Sequence, residues 1–142
     1  MATLTDAAGK EIAVGTELGP KTIETGFHNW NRYAAVNFEF VPIHMDDAAG
    51  QEAGMPGAFG MGNLQTSILH NLAREWAGEK GRIKKFNIQW RKPNTKGPVT
   101  ASGKVTAITP GENGETLVEI EAVTVDGAGD TLAPASITVA FA

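Results

Sequence analysis

A change in the period of the apolar residues near residue 80 constrains the fold more than any other feature of this 142-residue sequence. In GNLQTSILHNLAREWAG the apolar side chains recur with helical spacing, which predicts one long amphipathic helix that ends at Gly78. From residue 82 onward the period becomes two, which predicts four strands in RIKKFNIQWRK, PVTASGKVTAI, ETLVEIEAVTV and PASITVAFA. Phe86 and Trp90, in the first of these strands, are expected to face the core. TPGENGE and DGAGD are typical of hairpin turns.

The helix and the strands together predict an α+β fold formed as one domain, residues 1–142. A sheet with one apolar face needs a cover, and the long helix is the only element predicted here that can supply it. A long central helix wrapped by a curved antiparallel sheet is the hotdog architecture. A chain of this length buries roughly 68–70% of its unfolded surface, so it can form a core without disulfides or metals.

The sequence before the long helix contains patterns for shorter elements. EIAVG and KTIETG suggest an entry segment and a short strand, and FHNWNRYAAV has the spacing of a short helix. Asp46 and Asp47 are good N-cap residues for a second short helix, which is expected to stop near Gly54. The loop GMPGAFGMG, with four glycines, then leads directly into the long helix. Such a loop lets backbone approach a ligand closely at a helix N-terminus.

The composition excludes several classes of function. The sequence contains no cysteine, which removes disulfides, thiolate nucleophiles and cysteine-based metal sites. The three histidines, His28, His44 and His70, are far apart, and no ligand cluster predicts a metal site. A net charge of −4 argues against a nucleic-acid partner. The sequence also shows neither the roughly 18 consecutive apolar residues of a membrane span nor an N-terminal signal, so a cytoplasmic protein is expected.

Basic residues are nevertheless concentrated in the span 80–96. This basic span consists of Lys80, Arg82, Lys84, Lys85, Arg91, Lys92 and Lys96. It has two interpretations, a solvated strand face with its turn or a surface that meets a phosphate-bearing ligand.

The stretch NFEFVPIHMDD sets Glu39 five residues before His44, with Pro42 between them. The spacing alone does not tell an acid/base pair from two titratable side chains in a solvated loop. The surrounding sequence is more specific, because RYAAVNFEFVPIHMD followed by AGMPGAFGMGNL resembles the MaoC-type dehydratases, which include the (R)-specific enoyl-CoA hydratases. VGTEL and FNIQWRKPNTKGPVTASGKV also match the flanking segments of that family. Glu39, Val41 and Met61 depart from it, standing where the family usually has Asp, Asn and His.

The resemblance implies the reversible hydration of a 2-enoyl-CoA, in which Glu39 and His44 share one water and divide the acid/base work. The backbone N–H of Gly62, at the positive end of the long helix, would stabilise the developing enolate oxygen. Contacts with the acyl chain or the thioester are expected from Val41, Met61, Asn63 and Gln65. No cofactor is implied, because the thioester already activates the substrate.

The resemblance also implies an acyl-CoA thioester as partner and a homodimer or higher oligomer with the sheets side by side. Arg91 and Lys92 would then meet the CoA phosphates near the subunit interface. Two alternatives stay open. The departures from the family pattern also suit a non-catalytic or half-catalytic chain that works with a second MaoC-like subunit. A hotdog thioesterase would need a carboxylate on the long helix or on the loop that leads to it, and Glu75, near the far end, is the only acid in GNLQTSILHNLAREW.

Overall fold

The structure is a computed structural model that describes residues 3–142. The chain forms β1 (Glu17–Thr25), α1 (Phe27–Asn37), α2 (Asp47–Glu52), α3 (Gly62–Ala77), β2 (Gly81–Ile88), β3 (Gly97–Pro110), β4 (Thr116–Asp126) and β5 (Thr131–Phe141). One-turn 3-10 helices occupy Pro42–His44, Gly78–Lys80 and Glu112–Gly114. Both short helices and the long helix were therefore predicted correctly, and Asp46 is the N-cap of α2, with its side chain accepting from the N–H of Ala48.

The five strands form one antiparallel sheet in the order β1-β3-β4-β5-β2. Helix α3 contacts all five strands and covers one face of the sheet. This confirms the predicted α+β hotdog architecture. No helix within residues 3–142 is both long and apolar enough to cross a membrane.

The core lies between α3 and the sheet. Helix α3 contributes Leu69, Ala73 and Ala77, which are almost completely buried. Opposite them, β4 buries every second residue, Val118, Ile120 and Ala122, as the period of two requires. The small alanine side chains on the inner face of α3 belong to this core, and the candidate site lies at the opposite, N-terminal end of the helix.

The expectation that Trp90 belongs to the sheet core is wrong. Strand β2 ends at Ile88, which pairs with Ala135, and the next residue along β5 is Pro134. Because proline has no N–H to donate, the regular ladder ends there, and the chain continues beside β5 through N–H bonds from Gln89 to the oxygen of Pro134 at 3.0 Å and from Arg91 to the oxygen of Leu132 at 2.8 Å. Trp90 therefore lies beyond the strand with 57% of its surface exposed. Phe86 lies within β2 and packs against the core as a partly buried residue.

His70 is a half-buried residue of α3, with its ring centroid 5.8 Å from that of Phe86. Burial lowers the pKa of His70 below its ordinary value of 6.5, and the positive charge of Arg74 lowers the pKa further. As the pH falls, the unfolded chain therefore binds the proton before the folded protein does. The stability that depends on neutral His70 is fully present above the pKa of His70 in the unfolded chain. It is lost as the pH falls through the lower pKa of His70 in the folded protein.

Replacing His70 by glutamine, which is neutral at every pH, should therefore reduce the loss of stability in mild acid. Urea unfolding of wild type and His70→Gln at about pH 7.5 and about pH 5.5 measures this, since the ordinary histidine pKa lies between them. We expect the free energy of unfolding to fall further in the wild type than in the variant. Equal losses in both proteins would show that His70 does not contribute to the pH dependence.

Candidate active site

A cavity of about 220 Å³ lies at the N-terminus of α3. Its wall is formed by the 3-10 turn before α2, the glycine-rich loop, the first turn of α3 and the segment that follows β2. Six of the residues predicted from the sequence lie on this wall, namely His44, Met61, Gly62, Gln65, Arg91 and Lys92. The cavity therefore brings together predicted residues that are up to 48 positions apart, from position 44 to position 92, and Leu132 of β5 completes the wall.

His44 is held in one orientation by the backbone around it. Pro42 begins the one-turn helix that carries His44, and its fixed φ suits that position. The imidazole is 7% exposed, and its Nδ1 lies 2.6 Å from the backbone oxygen of Phe59. A carbonyl oxygen only accepts, so Nδ1 carries the proton and donates it. In the neutral ring Nε2 is then the nitrogen with a free lone pair, which is the form that a proton acceptor needs.

The glycine-rich loop is hydrogen-bonded on both sides. The N–H of Phe59 donates to the oxygen of Ile43 at 3.1 Å, and the N–H of Gly60 donates to the backbone oxygen of Asn94 at 2.7 Å. Gly60 has to be glycine, because a Cβ there would lie 2.6 Å from Nε1 of Trp30. The loop therefore joins the His44 turn to the segment after β2 through backbone hydrogen bonds.

Gly62 is the first residue of α3, and Met61 is its N-cap. The N–H groups of the first helical turn have no acceptor inside the helix, and they lie at its positive end. A Cβ on Gly62 would lie 2.7 Å from the indole of Trp90, so the exposed tryptophan packs directly over this glycine. Met61 is fully buried and apolar where the family pattern has a histidine. An oxyanion at this end of the cavity would thus meet backbone N–H groups and an apolar surround.

Gln65 and Asn94 form a buried polar pair at the same wall. They are 3% and 2% exposed, and Nε2 of Gln65 lies 3.3 Å from Oδ1 of Asn94. Asn94 also donates to Oγ1 of Thr25 at 3.0 Å and to the oxygen of Thr95 at 2.9 Å. This network connects α3 with the end of β1 and with the segment that follows β2.

Three of the predicted site residues do not lie on the cavity wall, namely Glu39, Val41 and Asn63. Glu39 follows Phe38, which ends α1 in the left-handed region at φ 54°. The side chain of Glu39 is half-buried, and its Oε2 is shielded from water without a hydrogen-bond partner among residues 3–142. Val41 is 40% exposed, and Asn63 is exposed on the first turn of α3.

The basic span is largely occupied by ion pairs. Lys92 donates to Asp130 at 2.7 Å and to Asp126 at 2.9 Å. These hydrogen bonds, to Asp130 first and Asp126 second, raise the pKa of Lys92, and the bond to Lys92 lowers the pKa of Asp126. Further ion pairs join Arg82 and Lys84 to Glu115 and Lys96 to Asp47. Arg91 bonds instead to the neutral Gln89 at 3.2 Å, which leaves its charge uncompensated by that contact.

Six residues of the cavity wall were not among the predicted site residues, and two of them, Trp90 and Asn94, make the contacts described above. Asn94 gave no signal, because an asparagine after a proline is an ordinary turn residue until its distant partners are known. Trp90 continues the alternation of Phe86 and Ile88, so the sequence predicted a buried position for it. Within residues 3–142 there is no group of three or more potential metal ligands.

Neither a protein-family model nor a curated protein matches this sequence. Solved structures do match it. A chain of the ChsH1–ChsH2 complex from Mycobacterium tuberculosis has a TM-score of 0.81 and 21% identity, over 92% of this chain and 98% of that one. The (R)-hydratase from A. caviae, involved in PHA biosynthesis, has a TM-score of 0.79 and 20% identity, over 90% and 96%. The MaoC-like dehydratase from Rhodospirillum rubrum has a TM-score of 0.78 and 18% identity, over 92% of each chain. This chain therefore has the hotdog fold of the MaoC-like dehydratases and (R)-hydratases.

Proposed function

We propose that this protein hydrates 2-enoyl thioesters and, in reverse, dehydrates 3-hydroxyacyl thioesters. The observation that carries the proposal is the arrangement of His44 and Gly62 on the wall of one cavity. A histidine oriented through Nδ1 and a helix N-terminus supply a proton acceptor and an oxyanion site, which are the two functions that this addition requires.

In the hydration, a water attacks C3 of the enoyl group while Nε2 of His44 accepts one of its protons. The electron pair of the C2–C3 double bond moves toward the thioester, and the negative charge on the carbonyl oxygen is stabilised by the N–H of Gly62. Return of the proton from His44 to C2 completes the addition. One imidazole both accepts and delivers the proton. We therefore expect the water oxygen at C3 and the proton at C2 to add to the same face of the double bond.

Glu39 is proposed to support His44 as a second acid/base group, although its side chain is not on the cavity wall. A buried carboxylate oxygen without a partner is costly, and such groups are often functional. Its position five residues before His44 matches the resemblance described above.

The proposed substrate is an acyl-CoA, with Arg91 contacting a CoA phosphate. Arg91 lies on the cavity wall and has no carboxylate partner among residues 3–142, whereas the neighbouring Lys92 is held by two aspartates. The proposed assembly is a homodimer with the sheets side by side. It is supported by β2, an edge strand that pairs only with β5 within the described chain.

A second candidate function is that of a subunit in a heteromeric dehydratase. Glu39 does not reach the cavity wall, and it lies among exposed apolar side chains. These form an apolar patch of Val36, Phe38, Phe40, Val41 and Met45. A patch of this kind is typical of an interface with another protein, and one similar chain belongs to the ChsH1–ChsH2 complex.

A thioesterase is less well supported. Glu75, the acid on which that alternative depends, lies near the C-terminal end of α3 and pairs with Lys21 at 3.1 Å. It lines a separate, open groove of about 730 Å³ and not the cavity that contains His44.

The test is the loss of enoyl-thioester absorbance when pure protein is mixed with crotonyl-CoA or a longer 2-enoyl-CoA. We expect the wild type to hydrate one of them and Glu39→Gln to lose about a hundredfold in kcat, because the substitution removes the charge while keeping the shape. Glu52→Gln, at an exposed acid of α2, serves as the control. If Glu39→Gln retains wild-type activity, Glu39 has no role in the chemistry. A wild type that becomes active only after a partner chain is added would favour the heteromeric dehydratase, and release of free thiol would indicate a thioesterase.

A further inference from the structure

The donors and acceptors of the hydrogen bonds around Gln65 can be assigned in only one consistent way. The oxygen of Thr95 can only accept, so the group of Asn94 that lies 2.9 Å from it is the amide nitrogen. The Oδ1 of Asn94 therefore faces Gln65, and Gln65 has to present its own nitrogen there. Because Asn94 sets the orientation, the Oε1 of Gln65 points away from this network.

That oxygen has no hydrogen-bond partner. Oε1 of Gln65 is buried and unpaired within residues 3–142, although the residue lines the cavity and is 97% buried as a whole, since 3% of its surface is exposed. An amide oxygen that is shielded from water and receives no hydrogen bond destabilises the fold. Such a group is explained when a bound molecule donates to it.

The position of Gln65 on α3 indicates which part of a ligand it meets. Gln65 follows Gly62 by three residues, so both lie on the same face of the helix, about 4.5 Å apart along its axis. With the thioester oxygen at the N–H of Gly62, the acyl carbons C2 and C3 are the atoms within reach of the next turn. The only proton donor on these carbons is the oxygen attached to C3.

We propose that Oε1 of Gln65 accepts a hydrogen bond from the oxygen bound at C3, both as the hydroxyl of a 3-hydroxyacyl thioester and as the water that becomes this hydroxyl. The inference rests on the proposed function and adds the group that orients the water. A water that gives one proton to Nε2 of His44 has a second O–H, and Gln65 supplies the acceptor for it. Gln65 stays neutral and transfers no proton, so it directs the lone pair of the water toward C3.

The test compares two ligands that differ only in this hydroxyl. 2,2-Difluoro-3-hydroxybutyryl-CoA and 2,2-difluorobutyryl-CoA have no proton on C2, so neither can be dehydrated during the measurement. Titration calorimetry gives the ratio of their dissociation constants for wild type, Gln65→Met and Gln51→Met. Gln51 is the matched control, because it is an exposed glutamine on α2 and lies outside the cavity wall. Methionine keeps the length of the side chain and removes the acceptor.

We expect wild type and Gln51→Met to prefer the hydroxylated ligand by about tenfold, and Gln65→Met to lose this preference, because a site that hydrogen-bonds a hydroxyl discriminates against its absence. Equal preferences in wild type and Gln65→Met would overturn the proposal, as would a wild type without any preference. In that case a buried water would explain the unpaired oxygen of Gln65. The outcome is independent of turnover: a hydroxyl preference without hydration of any enoyl-CoA would refute the proposed reaction while leaving the Gln65 contact established.

Discussion

Replacing His44 by alanine is expected to lower kcat for enoyl-CoA hydration by on the order of 10²–10⁴-fold, the usual contribution of a positioned acid or base. The reason is the single orientation of the ring. With Nδ1 donating to Phe59 at 2.6 Å, only Nε2 can take a proton from a water in the cavity. No other histidine and no carboxylate lies on the cavity wall among the described residues, so His44 is the acceptor placed beside a water there.

Alanine also removes the hydrogen bond to Phe59, and a second variant separates the two effects. Asparagine in place of His44 keeps a side-chain N–H close to the position of Nδ1 but has nothing in place of Nε2. We therefore expect His44→Asn to fold like the wild type and to be as inactive as His44→Ala. His28→Ala, at an exposed histidine of α1, should keep full activity. If His44→Asn keeps wild-type activity, His44 only anchors the loop and the proposed mechanism is wrong.

The second large effect is expected from Gly50→Ala, which should lower the free energy of unfolding by about 3 kcal/mol, as for severe overpacking of a buried site. Gly50 lies in α2 against the glycine-rich loop. A Cβ there would lie 2.0 Å from the oxygen of Gly57 and 2.3 Å from its carbonyl carbon. Both are backbone atoms that cannot rotate away, so the helix and the loop have to separate. The gain of about 1 kcal/mol from alanine in a helix does not offset this clash.

The separation should also reduce activity. The same loop carries the oxygen of Phe59 that orients His44, and it continues into Gly62 at the start of α3. A displacement of about 1 Å at these positions can lower the rate by on the order of a hundredfold. Urea unfolding and the crotonyl-CoA assay measure the two effects. Gly26→Ala is the control, since Gly26 has extended backbone at φ 170° and a Cβ would lie 3.7 Å from the nearest atom. A Gly50→Ala protein as stable and active as Gly26→Ala would contradict this packing.

The elements that the sequence predicted well share one property, which is that their signal is local. Leu64, Ile68 and Leu72 follow one another at about one helical turn, and the alternation in β4 involves residues two positions apart. The N-cap role of Asp46 likewise depends on an N–H two residues away. Such patterns determine secondary structure because the interacting groups are close together in the chain.

The site required information that the local sequence does not contain. Trp90 is exposed beyond the end of β2, where Pro134, on another strand, interrupts the regular ladder. Asn94 is a buried residue that donates a hydrogen bond to Thr25, which lies 69 residues earlier in the chain. The orientation of Gln65, in turn, depends on Asn94. Each of these outcomes depends on contacts between residues that are far apart in the sequence. The spacing of apolar residues does not predict such contacts.

The sequence by itself thus determined a long helix over an antiparallel sheet and a glycine-rich loop before that helix, and it predicted Glu39 and His44 as the acid/base pair to test first. Only the tertiary structure decided which polar groups share the cavity with His44, placing Gln65 on its wall and Glu39 outside it. The physical reason is that apolar periodicity selects the elements, whereas the hydrogen bonds of buried polar groups are satisfied only when those elements pack. At Gln65 that requirement leaves one acceptor unpaired, at the wall of the cavity where the substrate is proposed to bind.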